Sequence, residues 1–86
     1  MELVQTGIVK YGEKEVGDYT VKVSANYNMD GKALSCQAYA FDKNERRVCF
    51  ASWSANGRES INFEQSISSE AKMEILNEIE STFAAL

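Results

Sequence analysis

Between Asp18 and Phe41 two runs of alternating side chains flank the dipeptide Asp30-Gly31. Alternation at period two marks a half-buried strand, and Asp-Gly between two such runs is a hairpin signal, because the favoured tight turns need positive φ. Taken as a two-residue type I′ loop, Asp30-Gly31 sets Tyr27 opposite Leu34, Ala25 opposite Cys36, Val23 opposite Ala38 and Val21 opposite Ala40, all on one face. The other face pairs Asn26 with Ser35, Ser24 with Gln37, Lys22 with Tyr39 and Thr20 with Phe41. It is polar near the turn and aromatic far from it.

A third run, Arg47 to Ser54, follows Asp42-Lys43-Asn44-Glu45, and a fourth, Arg58 to Gln65, follows Asn56-Gly57. With Asn56-Gly57 as another type I′ loop, Phe50 faces Phe63 and Ser52 faces Ile61. A tight turn at Lys43-Asn44 adds Val48 and Tyr39 to the same side. The expected far face therefore carries Tyr39, Phe41, Val48, Phe50, Ile61 and Phe63, while Val21, Val23, Leu34, Cys36, Cys49, Ala51 and Trp53 line the near one. Leu3 to Tyr11 reads as a further strand, joined to Asp18 through a loop at 12–17.

Serine at 68 and 69 followed by Glu70 is a helix start, since serine caps the free N–H groups and the dipole favours acid in the first turn. Ile75, Leu76, Ile79, Phe83 and Leu86 recur at three- and four-residue spacing and form one apolar stripe. Glu70, Glu74 and Glu78 form an acidic ridge away from it. The sequence thus predicts an α+β domain over 1–86: an antiparallel β-meander of four to five strands with one amphipathic C-terminal helix packed on one sheet face. No proline or repeat marks a boundary within the 86 residues.

The chemistry is constrained by what the chain lacks. No histidine is present, so triads of the Ser-His-Asp type are excluded, and Cys36 and Cys49 without CxxC spacing make structural zinc an unexpected feature. Both cysteines fall in predicted strands, where free Cys usually serves as a small hydrophobe. Cys49 lies two residues after Arg47, which leaves a cation-activated thiol as a weaker reading. The glycines form neither GxGxxG nor GxxxxGK, so no nucleotide cofactor is expected. With a net charge of −4 and only Lys43, Arg46, Arg47 and Arg58 near a cluster, direct nucleic-acid binding is disfavoured. No apolar run is long enough to span a membrane, and the first residues lack the basic-then-apolar order of a secretory signal, so a cytoplasmic protein is expected.

The stretch Asp18-Tyr19-Thr20-Val21-Lys22-Val23-Ser24, followed by further strands and an acid-rich helix, resembles small acidic anti-CRISPR proteins of phages. That resemblance implies an inhibitor occupying a nucleic-acid-binding surface. Read from spacing alone, Glu70, Glu74 and Glu78 are a solvated face or a contact ridge for a basic partner. The residues themselves favour a non-enzymatic protein-interaction module. Its candidate interface is Tyr39, Phe41, Val48, Phe50, Ile61 and Phe63, and a homodimer is its simplest form, because a patch of that size rarely stays open to water.

Overall fold

The computed structural model describes residues 1–6 and 8–86, the side chains of 4–6 aside. Six antiparallel strands neighbour one another in chain order: β1 (Val4–Thr6), β2 (Val9–Val16), β3 (Tyr19–Tyr27), β4 (Ala33–Phe41), β5 (Arg47–Ser54) and β6 (Glu59–Phe63). One helix, α1 (Ser69–Ala84), follows them. The α+β class, the meander and the single C-terminal helix are those expected from the pattern.

The stretch from Leu3 to Tyr11 is divided, because β1 and β2 pair within it, with Val4 opposite Tyr11. Of the residues expected in a loop at 12–17, all but Gly17 instead extend β2, which pairs with β3 from Val9–Asn26 to Val16–Tyr19. Charge does not prevent a strand here, since each side chain finds a suitable side. Glu13 lies opposite Lys22 on the bare face, and Lys14 opposite Val21 points toward the helix.

The helix begins as its sequence requires. Ser68 Oγ accepts a hydrogen bond from the Ala71 N–H at 3.1 Å, and Glu70 occupies the first turn. It lies against β2, β3 and β4, where Val21, Val23, Ala25, Cys36, Ala38 and Ala40 are buried. Those short side chains let the helix axis approach the sheet. Ile75, Ile79 and Phe83 fill the gap and are buried there. Each such burial contributes about 1.5–3 kcal/mol.

The turns decide which side chains join this core. At Asn28, Gly31 N–H donates to Asn28 O (3.1 Å) and Asn28 N–H to Lys32 O (2.9 Å), with Gly31 at φ 81°. This is a three-residue loop, a type I turn closed by a left-handed residue, and not the two-residue type I′ loop expected, because Asp30 keeps negative φ. The hairpins at Asp42 and Ser54 repeat it, with Glu45 at φ 62° and Gly57 at φ 93° in the place of Gly31. Asn28 Oδ1 accepts from Asp30 and Lys32 N–H, and Asp42 Oδ1 from Asn44 and Arg46 N–H. Asx side chains at the first position thus favour this turn over the alternative.

One residue more in each loop would reverse every face beyond it. In the first hairpin a bulge beside Asn26 and Tyr27 restores the register, so that Tyr27 meets Ala33 instead of Leu34 while Ala25–Cys36, Val23–Ala38 and Val21–Ala40 stand as expected. Leu34, the extra residue, is 49% exposed. In the second a bulge beside Ala40 and Phe41 restores the faces but not the pairing, which moves on by two so that Tyr39 meets Phe50 instead of Val48, and Val48 becomes the extra residue. The third hairpin has no bulge. Its pairs are Cys49–Phe63, Phe50–Asn62, Ala51–Ile61 and Ser52–Ser60, so Ile61 and Phe63 turn to the helix side.

Candidate interaction surface

The side of the sheet away from α1 carries no covering element among the described residues. At one end Tyr39 and Phe41 stand two apart on β4, and Phe50 on β5 lies directly opposite Tyr39. The Tyr39 and Phe50 rings are 5.2 Å apart between centroids and tilted by 44°, and Tyr39 and Phe41 are 6.3 Å apart and stacked. All three are half-buried. Of the expected interface, then, the structure brings together Tyr39, Phe41 and Phe50. It separates Val48, buried at 1% exposure, and Ile61 and Phe63, packed against the core from the other side.

The bulge that sends Val48 inward also sets Arg47 opposite Phe41, on the bare face. Its guanidinium is fixed by two parallel bonds to Glu64, Nε to Oε1 at 2.6 Å and Nη2 to Oε2 at 2.8 Å. Held there, its Cζ sits 5.7 Å from the Tyr39 ring centroid and 5.6 Å from that of Phe50. Lys22 Nζ lies 5.3 Å from the Phe41 ring. A bidentate arginine against two rings is a rigid arrangement, because the planar guanidinium satisfies the carboxylate and the aromatic faces together. The Arg47–Glu64 partnership has no short-range signature in the sequence and emerges only when β5 meets β6.

Toward the other end the same face is hydroxyl and amide on β3 to β6, with Val9 and Tyr11 beside them on β2. Asn26 Nδ2 donates to Ser35 Oγ at 3.2 Å, Ser52 and Ser60 hydroxyls meet at 3.0 Å, and a shallow groove runs between Ser35, Gln37, Ser52, Ser54 and Ser60. Ser54 Oγ also donates to Asn56 Oδ1 within the turn.

Elsewhere the expected sites fare differently. Glu70 and Glu74 are exposed beside the turn at Gly17 and Asp18, but Glu78 is withdrawn from the ridge to 9% exposure, because it sits between Ile75 and Thr82 on the edge of the apolar stripe. Cys36 and Cys49 are fully buried, and desolvation pushes both thiols up to about 11, with the Glu64 charge adding to the effect at Cys49. Arg47 and Cys49 point to opposite faces, which removes the proposed activation of that thiol. Among the described residues no group of His, Cys, Asp or Glu is arranged to hold a metal ion, and no helix is long and apolar enough to cross a membrane. No family model, curated protein or solved structure matches the chain.

Proposed function

We propose that the protein is a non-enzymatic protein-interaction module that receives a protein partner on the bare face of its sheet. The observation that carries this reading is the Tyr39–Phe41–Phe50 cluster, held rigid by the Arg47–Glu64 pair and left uncovered by the helix. Tyrosine, phenylalanine and arginine are the side chains enriched where proteins meet, since each combines large contact area with few rotors to immobilise. The adjoining Ser35, Gln37, Ser52 and Ser60 supply adaptable hydrogen-bonding groups, the usual complement of aromatic anchors on recognition surfaces.

A sheet-on-sheet homodimer is less favoured by this geometry than by the sequence pattern. Half of the expected apolar patch has gone to the other side, which leaves only three rings for a second sheet to bury. The partner that suits the face brings apolar side chains to the three rings and hydrogen-bonding groups to the serine and amide end, since Arg47 and Lys22 already have Glu64 and Glu13 beside them. The acidic-inhibitor reading rests on Glu70 and Glu74 alone once Glu78 is buried. High thiol pKa values leave little thiolate near neutral pH, which argues against cysteine chemistry.

Placing a photoreactive phenylalanine analogue at position 50, in cells that make the protein, should trap a protein partner. The same group at Met73, 63% exposed on the outer side of α1, should not. Arg47→Ala should lower the yield from position 50. Trapping from position 73 and not from position 50 would overturn the assignment of the face.

A further inference from the structure

The geometry points to a second copy of the chain as the partner of the β6 edge, joined strand to strand about a two-fold axis at Ile61. The inference rests on the outward backbone edge of β6 and not on the three rings, so either can fail alone. β6 ends the sheet, and its ladder to β5 settles which backbone groups face outward. Ser54 N–H donates to Arg58 O at 2.9 Å and Glu64 N–H to Val48 O at 2.8 Å. Bonding residues alternate along an antiparallel strand, so Ser60 and Asn62 bond to β5, and Glu59, Ile61 and Phe63 direct N–H and C=O away from the sheet.

Edges of this kind are usually blunted by shortness, proline, bulges or inward charge. The opposite edge is short, since β1 has 3 residues. β6 has 5 residues, an unbroken register with β5, no proline and no charge at Ser60, Ile61 or Asn62. It also stands at the rim of the cover given by α1, which lies chiefly on β2, β3 and β4. Ile61 and Phe63 are consequently only half-buried at the rim of the core.

The choice of a second copy over any other extended chain comes from the side chains. An axis at Ile61 pairs Ile61 with its equivalent and Glu59 with the second copy's Phe63, so every outward backbone group of β6 is used. The same register sets Arg58 opposite the second copy's Glu64 and Ser60 opposite its Asn62. Charges of opposite sign thus face each other at both ends, with each Glu64 still bonded to Arg47 of its own chain. A further match lies on the helix side, where Lys72 Nζ stands 5.7 Å from the Phe63 ring, within reach of the approaching Glu59 carboxylate. The segment from Arg58 to Glu64 is complementary to its own reverse, as an isologous contact demands. Because directly opposed residues share a face, both helices come to one side and both aromatic clusters to the other.

The register has a chemical test. Ser60 and the second copy's Asn62 form a non-hydrogen-bonded pair, where Cα atoms approach to about 4.5 Å and a disulfide can close. A mixture of the single variants Ser60→Cys and Asn62→Cys, mildly oxidised, should give a cross-linked heterodimer, and each variant alone should give far less. Both positions are exposed, so neither substitution threatens the fold. Light scattering of the wild type should report a dimer, and Ile61→Pro, which deletes an outward N–H and spares the β5 ladder, should weaken it by about tenfold or more. Phe50→Glu should leave it intact. A wild type that stays monomeric at high concentration, cross-linking no greater in the mixture than in either variant alone, or a dimer lost in Phe50→Glu would each overturn the inference.

Discussion

Lys14 Nζ lies 2.7 Å from Oε1 of Glu78, joining the helix-facing side of β2 to the edge of the apolar stripe on α1. The Met1 amino group stands 3.5 Å from Oε2 of the same carboxylate. Thr82 Oγ1 donates to the Glu78 carbonyl at 2.8 Å. A charge at 9% exposure is stable only when its bonds are made, and here Lys14 comes from a segment that sequence pattern alone assigns to a loop.

Glu78→Ala should therefore destabilise the fold, although its spacing from Glu70 and Glu74 suggests an exposed and dispensable residue. Loss of a charge-assisted hydrogen bond costs about 1.5–3 kcal/mol, and the half-exposed Lys14 places this pair toward the lower end. Glu74→Ala is the control and should be near neutral. The hydrogen bond from Lys14 is the largest of the effects that hold the Glu78 carboxyl below its ordinary value of 4.5. A depressed carboxyl stabilises the fold above its unfolded pKa and loses that contribution as pH falls through the folded one. Stability should drop on acidification below about pH 4.5, and Glu78→Gln should flatten that part of the profile. Equal acid sensitivity in the two proteins would contradict the linkage.

Glu45 occupies the left-handed position that Gly31 and Gly57 hold in the other two turns of the same construction. A Cβ in that region costs roughly 1–2 kcal/mol, whereas glycine adopts it freely and is disadvantaged only by its freedom in the unfolded chain. Glu45→Gly should raise stability by about 0.5–1 kcal/mol, read as a higher midpoint in urea. Gly31→Val, with open space around the position but φ at 81°, should lower it.

Cys36 and Cys49 should resist alkylation in the native protein and react fully once it is unfolded. Burial and thiol pKa values near 11 act together, the first denying access and the second denying thiolate. Labelling at pH 8 should follow the fraction of molecules transiently open and rise with urea. Rapid modification of either thiol in folded protein would place it outside the core.

The elements that could be read from the sequence are those whose information is local and periodic. The α1 stripe, its Ser68 cap and the alternation of β3 and β4 each repeat a signal over several residues. The turn type was not legible. Asp-Gly and Asn-Gly put glycine at positive φ in both the two-residue and the three-residue loop, and only the Asx or Ser residue three positions earlier separates them. Bulges leave no composition mark, so the compensation in the first two hairpins and its absence in the third could not be seen. That single difference moved Ile61 and Phe63 from the aromatic face to the core. Lys14–Glu78 and Arg47–Glu64 join residues far apart in the chain, and no spacing rule reaches across a sheet.

The third hairpin gives the most direct test of the face assignments, because the two registers exchange the fates of two phenylalanines. Were Asn56-Gly57 a two-residue loop, Phe50 and Phe63 would face each other on the same side, and a charge at either would have similar consequences. In the structure Phe63 lies opposite Cys49, within reach of Lys72 and packed against the core cluster, while Phe50 lies opposite Asn62 on the side without a helix. Phe63→Glu removes apolar contact and brings a carboxylate to a partly dry site. Truncation of a buried phenylalanine costs about 3–5 kcal/mol, much of the stability of a domain this small, and the half-buried position and nearby Lys72 moderate that figure. Phe50→Glu loses ring contacts with Tyr39 and Arg47 but keeps its charge in water, which limits the cost to about 1–1.5 kcal/mol. Urea unfolding followed by Trp53 fluorescence would compare the two. A wide gap, with Phe63→Glu the less stable, is the expected result, and equal midpoints would mean that β6 pairs in the other register.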